Sequence, residues 1–124
     1  MKLYASRALR VGILLTSVFT TSAVFAHAHL KNQTPAADAQ VTAVPQALTL
    51  NFSEGVEVKF SGVTVTGPQQ TQIPVGAVKL NEKDNTQLIA PLEQPLKSGD
   101  YTVDWHVVSV DGHKTKGQYH FSVK

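Results

Sequence analysis

Sulfur is nearly absent from this 124-residue sequence, which has no cysteine and a single methionine, Met1. The lack of cysteine excludes disulfides, thiolate metal sites and lipid attachment through a cysteine. Blue-copper centres and thioether Cu(I) sites are also excluded beyond residue 1, because both need sulfur ligands. Any metal site must therefore use nitrogen and oxygen ligands, and folding must depend on a hydrophobic core and backbone pairing.

The first 26 residues have the three parts of a secretory signal peptide. Lys2, Arg7 and Arg10 form a positive segment, residues 11–19 form a short apolar run, and Val24-Phe25-Ala26 matches a signal peptidase site. An uncleaved membrane anchor is the alternative, but this run is well short of the roughly 20 residues that span a bilayer. We therefore predict export and cleavage after Ala26.

Residues 27–124 are predicted to form one domain. The predicted signal peptide carries three of the 11 basic residues and none of the nine acidic ones, so residues 27–124 have a formal net charge of −1. This charge argues against a nucleic-acid-binding surface and against a basic membrane-binding patch. We expect a secreted monomer that does not insert into a membrane once the signal has been removed.

Short runs of alternating apolar and polar residues, separated by turn residues, predict an all-β fold. Runs of this length and spacing are typical of half-buried strands in an antiparallel sandwich. The predicted strands are residues 46–52, 60–66, 75–80 (the weakest candidate), 86–92, 101–110 and 118–123.

The aromatic side chains are expected to fill the core rather than to form a ligand platform. A tryptophan on a central strand, Trp105, suits the core of an immunoglobulin-like sandwich. The predicted core aromatics are Phe52, Phe60, Trp105, Tyr119 and Phe121.

Cleavage after Ala26 would make His27 the first residue of the mature chain. A terminal histidine offers two metal ligands, its α-amine and its imidazole Nδ1, which close a six-membered ring on one ion. No internal histidine has this amine, whose unperturbed pKa of about 8 means that a metal displaces one loosely held proton. The alternative is that a signal peptide happens to end before a histidine.

The turn Asp111-Gly112-His113 follows the longest predicted strand and is a second candidate. Gly112 permits a tight bend, and the aspartate and histidine on either side of it can face one point. Taken alone, the pattern fits an Asx-type turn with an incidental histidine better than it fits a metal site. The metal-site interpretation of this turn becomes the stronger one only if His27 lies close to it.

Together, His27, Asp111 and His113 would supply an amine, two imidazoles and a carboxylate. Nitrogen and oxygen ligands in a tetragonal arrangement favour Cu(II), which also leads the Irving–Williams order. Zinc is the alternative, but a tetrahedral zinc site would not need the amine. We predict one Cu(II) ion per chain at these three residues, and no catalytic residues.

The remaining histidines and one acid are less informative. His29 shares a face with His27 if a strand begins there, so it is either a further nitrogen ligand or a solvated side chain. His106 and His120 alternate out of phase with the core residues of their strands, which predicts that they lie on the surface. Glu54 follows a predicted strand and fits a solvated loop acid better than an oxygen ligand.

Several segments of the sequence resemble the CopC family of periplasmic copper-binding proteins, and most closely its stand-alone, YobA-type members. The block GDYTVDWHVVSVDGH, residues 99–113, is long enough to be specific. The other matching segments are His27-Ala28-His29-Leu30, Thr34-Pro35-Ala36, Leu50-Asn51-Phe52-Ser53-Glu54, Gly117 and Phe121-Ser122-Val123.

The resemblance implies an immunoglobulin-like, Greek-key β-sandwich or barrel of about seven strands. It also implies a Cu(II) site formed by the amine and ring of His27 with Asp111 and His113. Some family members add a methionine-rich Cu(I) site, for which this sequence lacks the methionines. Family members bind or deliver copper in the periplasm, often beside a CopD-type inner-membrane protein, so both the ion and such a protein are expected partners.

Three functions follow from these observations. The first is a periplasmic Cu(II)-binding protein that sequesters or delivers copper in homeostasis or resistance. The second is a metal-free, immunoglobulin-like interaction module. The third is a copper oxidase built on a histidine brace, which needs an open copper position and a flat substrate face; here Asp111 would take a copper position and the aromatic residues are assigned to the core.

Overall fold

The computed structural model describes residues 27–43 and 45–124. The predicted signal peptide, residues 1–26, lies outside the described residues. Within the described part of the chain, no helix is long and apolar enough to cross a bilayer.

Two β-sheets form a sandwich, which confirms the predicted fold class. The four-stranded sheet has the order β1-β3-β7-β6, and the five-stranded sheet has the order β2-β9-β8-β4-β5. Two single 3₁₀ turns, Val58–Phe60 and Pro68–Gln70, flank β4. The strands are β1 (Leu30–Thr34), β2 (Gln40–Val41), β3 (Ala47–Phe52), β4 (Gly62–Thr66), β5 (Gln72–Ile73), β6 (Lys79–Asn81), β7 (Asp84–Pro91), β8 (Gly99–Val108) and β9 (Lys114–Val123).

The hairpin of β8 and β9 is the longest paired element. Its antiparallel register runs without a break from Gly99 opposite Val123 to Val108 opposite Lys114. Ten consecutive pairs fix which side chains face inward, because a slip of one residue would move every apolar side chain to the solvent face. The hairpin therefore sets the position of the turn that closes it, residues 109–113.

The predicted alternation accounts for the core. Leu48, Leu50 and Phe52 of β3 are buried, and they face the buried inner residues of β8 and β9. Phe52 and Trp105 meet edge to face across the sandwich, with ring centroids 5.2 Å apart. Burial of such large rings supplies much of the hydrophobic stabilisation of a small domain.

Tyr101 joins this core at the far end of β8. It is buried, its ring stacks on Phe121, and its hydroxyl donates a hydrogen bond of 2.6 Å to the carbonyl of Lys97. A tyrosine bonded to the backbone a few residues upstream is the tyrosine corner of immunoglobulin-like sandwiches.

Some sequence predictions were wrong in detail. The structure has nine strands among its described residues rather than about seven, and two of them, β2 and β5, have only two residues each. β1 was not predicted because its sequence, LKNQT, does not alternate between apolar and polar residues. It is an edge strand with one bulge, and such a strand needs no strict alternation. The predicted strand 75–80 is mostly loop and only its end lies in β6.

Phe60 is a further correction, since it is 58% exposed instead of buried. It lies in the 3₁₀ turn before β4, so the alternation of β4 does not extend to it. His106 and His120 are both exposed, which confirms their predicted surface positions.

Removal of the Tyr101 hydroxyl and removal of the Tyr119 hydroxyl should change the free energy of unfolding in opposite directions. Tyr101→Phe breaks the bond to Lys97, and we expect it to lower the free energy of unfolding by about 1 kcal/mol. The buried hydroxyl of Tyr119 has no hydrogen-bond partner among the described residues, so we expect Tyr119→Phe to raise that free energy by up to about 1 kcal/mol. Urea denaturation of both variants measures the difference.

The stability difference between Tyr119→Phe and the wild type should also depend on pH. Burial raises the pKa of the Tyr119 phenol, so ionisation above about pH 10 favours the unfolded chain and wild-type stability falls there. The advantage of Tyr119→Phe should therefore grow with alkaline pH. A loss of stability in Tyr119→Phe equal to that in Tyr101→Phe would show that the hydroxyl is bonded after all.

Candidate metal centre

The turn between β8 and β9 is a tight loop closed by backbone hydrogen bonds. The amide of Ser109 donates to the carbonyl of His113 at 2.8 Å, and the amide of Gly112 donates to the carbonyl of Ser109 at 2.8 Å. Gly112 has φ of 91°, a conformation that side chains rarely adopt, so any other residue would be strained at this position. The bend brings Asp111 and His113 to the same side of the loop.

Asp111 and His113 are in direct contact. Nδ1 of His113 lies 3.1 Å from Oδ2 of Asp111. The hydroxyl of Ser109 donates to Oδ1 of Asp111, and Ser109 itself is 1% exposed. The Ser109 bond, followed by the contacts with His113, lowers the pKa of Asp111 to about 2. The carboxylate is therefore ionised at every physiological pH and adds a fixed negative charge beside the imidazole.

His27 lies against this pair. Its ring meets the ring of His113 edge to face, with centroids 4.6 Å apart. His27 is half-buried and its Nδ1 is shielded from solvent, whereas the His113 side chain is 53% exposed. The structure thus brings His27 beside the turn from the other end of the described chain, as the metal-site prediction required.

The backbone of the first described residues is held from two sides. Ala28 is 1% exposed, and its carbonyl accepts a 3.0 Å hydrogen bond from Oγ1 of Thr115 on β9. Ser53 exchanges hydrogen bonds with His29, since its amide donates to the His29 carbonyl at 2.8 Å and its Oγ accepts from the His29 amide at 2.9 Å. These bonds position residue 27 independently of any metal.

The short segment after β3, residues 53–56, also holds the turn. The carbonyl of Gly55 accepts a 2.9 Å bond from the amide of Val110, and Val56 forms an isolated antiparallel bridge with Ser109. We call residues 53–56 the β3 loop. It is hydrogen-bonded on one side to the chain around His29 and on the other to the turn that carries Asp111 and His113.

The three predicted ligands are adjacent, but they are not arranged as a metal cluster. Across residues 27–43 and 45–124, no three histidine or acidic side chains have the geometry of a ready-made metal site. In this arrangement His113 is paired with Asp111, and in the full-length sequence the backbone nitrogen of His27 is an amide rather than the amine that the prediction requires. The assignment of His27, Asp111 and His113 as ligands therefore stays a prediction.

The other candidates take different positions. His29 is exposed and lies immediately before β1, and Glu54 is half-buried in the β3 loop. Residues that sequence reasoning missed are the hydroxyls of Ser53, Ser109 and Thr115, which hold the candidate ligands. Single serines and threonines carry no pattern, and their partners become visible only from the pairing of distant strands.

Comparisons with known proteins match almost the whole described chain. The family model described as CopC domain matches residues 30–124. "Protein YobA" of Escherichia coli (strain K12) is 62% identical over 120 residues, covering 96% of this chain and 97% of that protein. "Copper resistance protein C" of Escherichia coli is 41% identical over 105 residues, covering 80% of this chain and 82% of that protein.

The fold is also similar to that of a solved structure. The crystal structure of PcoC, described as a methionine rich copper resistance protein from Escherichia coli, matches with a TM-score of 0.72 at 36% identity. The match covers 80% of this chain and 100% of that one.

The low pKa of Asp111 should depend on Ser109. In Ser109→Ala the carboxylate loses its strongest donor, so we expect the pKa of Asp111 to rise from about 2 towards 3.8. Because the folded-state pKa is depressed, the stability due to the ionised carboxylate is present above about pH 4 and is lost as the pH falls towards 2. Carbon-13 NMR titration of the aspartate carboxyls measures the shift.

Ser53→Ala is the matched control for this titration, since it removes a neighbouring hydroxyl that does not touch Asp111. It should leave the Asp111 midpoint unchanged. An unchanged midpoint in Ser109→Ala as well would assign the shift to His113 instead of Ser109.

Proposed function

This chain belongs to the CopC family, and we propose that it is a periplasmic Cu(II)-binding protein that sequesters or delivers copper. It holds one ion per chain. The ligands are the amine and Nδ1 of His27, the imidazole of His113 and the carboxylate of Asp111. The observation that carries the proposal is the contact of the His27 ring with His113, next to the Asp111–His113 pair.

The chemistry of these ligands supports Cu(II) over other ions. Three nitrogens and one carboxylate oxygen suit a tetragonal Cu(II) ion, and sulfur is absent beyond residue 1. The PcoC relative is described as methionine rich, whereas this chain has no methionine beyond Met1 from which to build a thioether site. We therefore propose a single-site Cu(II) protein rather than one that moves copper between two sites.

Preorganisation supports a role in binding. The backbone around His27 is fixed by Ser53 and Thr115, and the turn is fixed by Ser109. Copper binding then requires that exposed His113 turn from its contact with Asp111 and that the shielded Nδ1 of His27 be uncovered, and these local changes cost less than ordering a disordered terminus. The ionised Asp111 adds a negative charge that favours a divalent ion.

The cellular setting follows from the predicted signal peptide. Export and cleavage after Ala26 would deliver the protein to the periplasm and create the amine at the same step. We propose that the protein acts there as a monomer and exchanges copper with a CopD-type inner-membrane protein.

A catalytic role has less support. A copper oxidase needs an open coordination position, and Asp111 would occupy one. Phe52 and Trp105 are buried against each other and so do not contribute to a flat aromatic face, and Phe60 is a single exposed ring in the 3₁₀ turn before β4. We therefore propose a binding protein and not an enzyme.

Cu(II) titration followed by electron paramagnetic resonance tests the proposal. The mature protein starting at His27 should bind one equivalent with a tetragonal, nitrogen-rich spectrum, and copper should raise its melting temperature. A form with one extra residue before His27 should lose this signal, because the amine is moved away. Equal binding by the two forms, or binding by neither, would remove His27 from the site and favour the metal-free interaction module.

Substitutions test whether the turn between β8 and β9 binds copper. His113→Ala should weaken Cu(II) binding by at least about 100-fold, since loss of an outer-shell partner alone typically costs 10–100-fold. The fold should survive, because His113 is exposed and contributes little to the core. His120→Ala, an exposed histidine on β9, is the matched control and should bind copper as the wild type does. If His113→Ala binds Cu(II) as tightly as the wild type, the turn does not form part of the copper site.

A further inference from the structure

A groove of about 700 Å³ runs along the outer face of the β8–β9 hairpin, at the end that carries the turn. Apolar and cationic side chains both contribute to its lining, and no aspartate or glutamate of the described residues does so. We call it the basic groove. Its main lining residues are Phe60, His106, Val107, Val108, Lys114 and Lys116.

Phe60 gives the basic groove an apolar anchor point. It is 58% exposed, and among the described residues only Phe60 and Val110 are large hydrophobic side chains with this exposure. The ammonium of Lys59 lies 5.8 Å from the centroid of the Phe60 ring. An exposed aromatic ring gains hydrophobic stabilisation when a partner buries it, and a nearby cation is attracted to its face.

The charge of the basic groove differs in sign from that of the domain. Residues 27–124 have a formal net charge of −1, yet Lys114 and Lys116 both line this groove, and the ammonium of Lys59 lies beside its Phe60 ring. The acids nearest in sequence, Glu57, Asp104 and Asp111, do not line it. A local patch of opposite sign attracts complementary partners and speeds their encounter.

The position of the basic groove links it to the metal centre. Lys114 follows His113 directly, and Val108 precedes Ser109. Val110, the other exposed apolar side chain, lies in the same turn and is 54% exposed. A segment seated in the groove would therefore end beside His113, the most exposed of the proposed copper ligands.

We propose that the basic groove docks an acidic, partly apolar peptide segment of the protein that exchanges copper with this one. The copper part of this inference rests on the proposed function. A second copy of this chain is a poorer occupant, because symmetric pairing would bring like-charged lysines together. An anionic membrane is also a poorer fit, because lipid-binding patches typically gather about 4–8 basic residues.

The docking test uses metal-free protein starting at His27 and a short capped peptide that alternates glutamate with leucine. We expect amide NMR shifts at the groove residues, weakened by salt, and no such shifts with a lysine–leucine peptide. Phe60→Ser and the double variant Lys59→Glu/Lys116→Glu should each weaken binding about tenfold or more. The matched control Lys79→Glu/Lys83→Glu reverses two exposed lysines of the other sheet and should bind normally.

Several results would overturn the docking proposal. The proposal is wrong if the acidic peptide causes no amide shifts at the groove, or if the lysine–leucine peptide causes equal shifts. It is also wrong if Lys79→Glu/Lys83→Glu weakens peptide binding as much as the groove variants do. Concentration-dependent sedimentation that Phe60→Ser abolishes would assign the groove to a second copy instead. Co-sedimentation with phosphatidylglycerol vesicles in the absence of peptide binding would assign it to a membrane.

A second readout tests the exchange of copper. Copper-loaded protein is mixed with two acceptor peptides that share one copper-chelating N-terminus but carry either a glutamate–leucine or a glycine–serine tail. Transfer to the acidic acceptor should be about tenfold faster, and Phe60→Ser should abolish the difference. Equal transfer rates would overturn the copper part of the inference, whereas failure to load copper would contradict the proposed function and leave the docking test standing.

Discussion

The position of His27 beside the turn between β8 and β9 depends on the hydrogen bonds that the β3 loop makes on both of its sides. Ser53 binds the backbone of His29, and Gly55 and Val56 bind the turn between β8 and β9. Neither the start of the domain nor a hairpin turn is rigid in isolation, since both are normally among the most mobile parts of a fold. Joined through one loop, they place His27 and His113 in contact although the two residues lie near opposite ends of the described chain.

The core explains why this arrangement is stable. Phe52 immediately precedes the β3 loop and packs on Trp105 across the sandwich, so the loop begins from a fixed point. The ten-pair register of β8 and β9 fixes the turn in the same way. A rigid scaffold allows the segments around His27 and the β8–β9 turn to present polar groups, and the contacts of Ser109 and His113 with Asp111 organise the turn around a negative charge.

Much of this could be predicted from the sequence, because alternation and chemistry are local signals. The inner faces of β3, β8 and β9 follow from period-two patterns, and the turn at Asp111 and His113 follows from its glycine. β1 could not be predicted, because an edge strand buries little and needs no alternation. The exposure of Phe60 and the bonds made by Ser53 and Ser109 were missed for a related reason: they depend on where a 3₁₀ turn and distant strands come to lie, which residue types do not specify.

We propose that one copper ion links residue 27 to the turn between β8 and β9 through the terminal amine of His27. The most direct test is pulsed electron–nuclear double resonance on the copper-loaded mature protein with nitrogen-15 introduced only at the His27 amine. We expect a strong nitrogen-15 coupling typical of a directly bound ligand. A copper signal without that coupling would show that the ion is held by side chains alone, and the terminal-histidine site would be wrong.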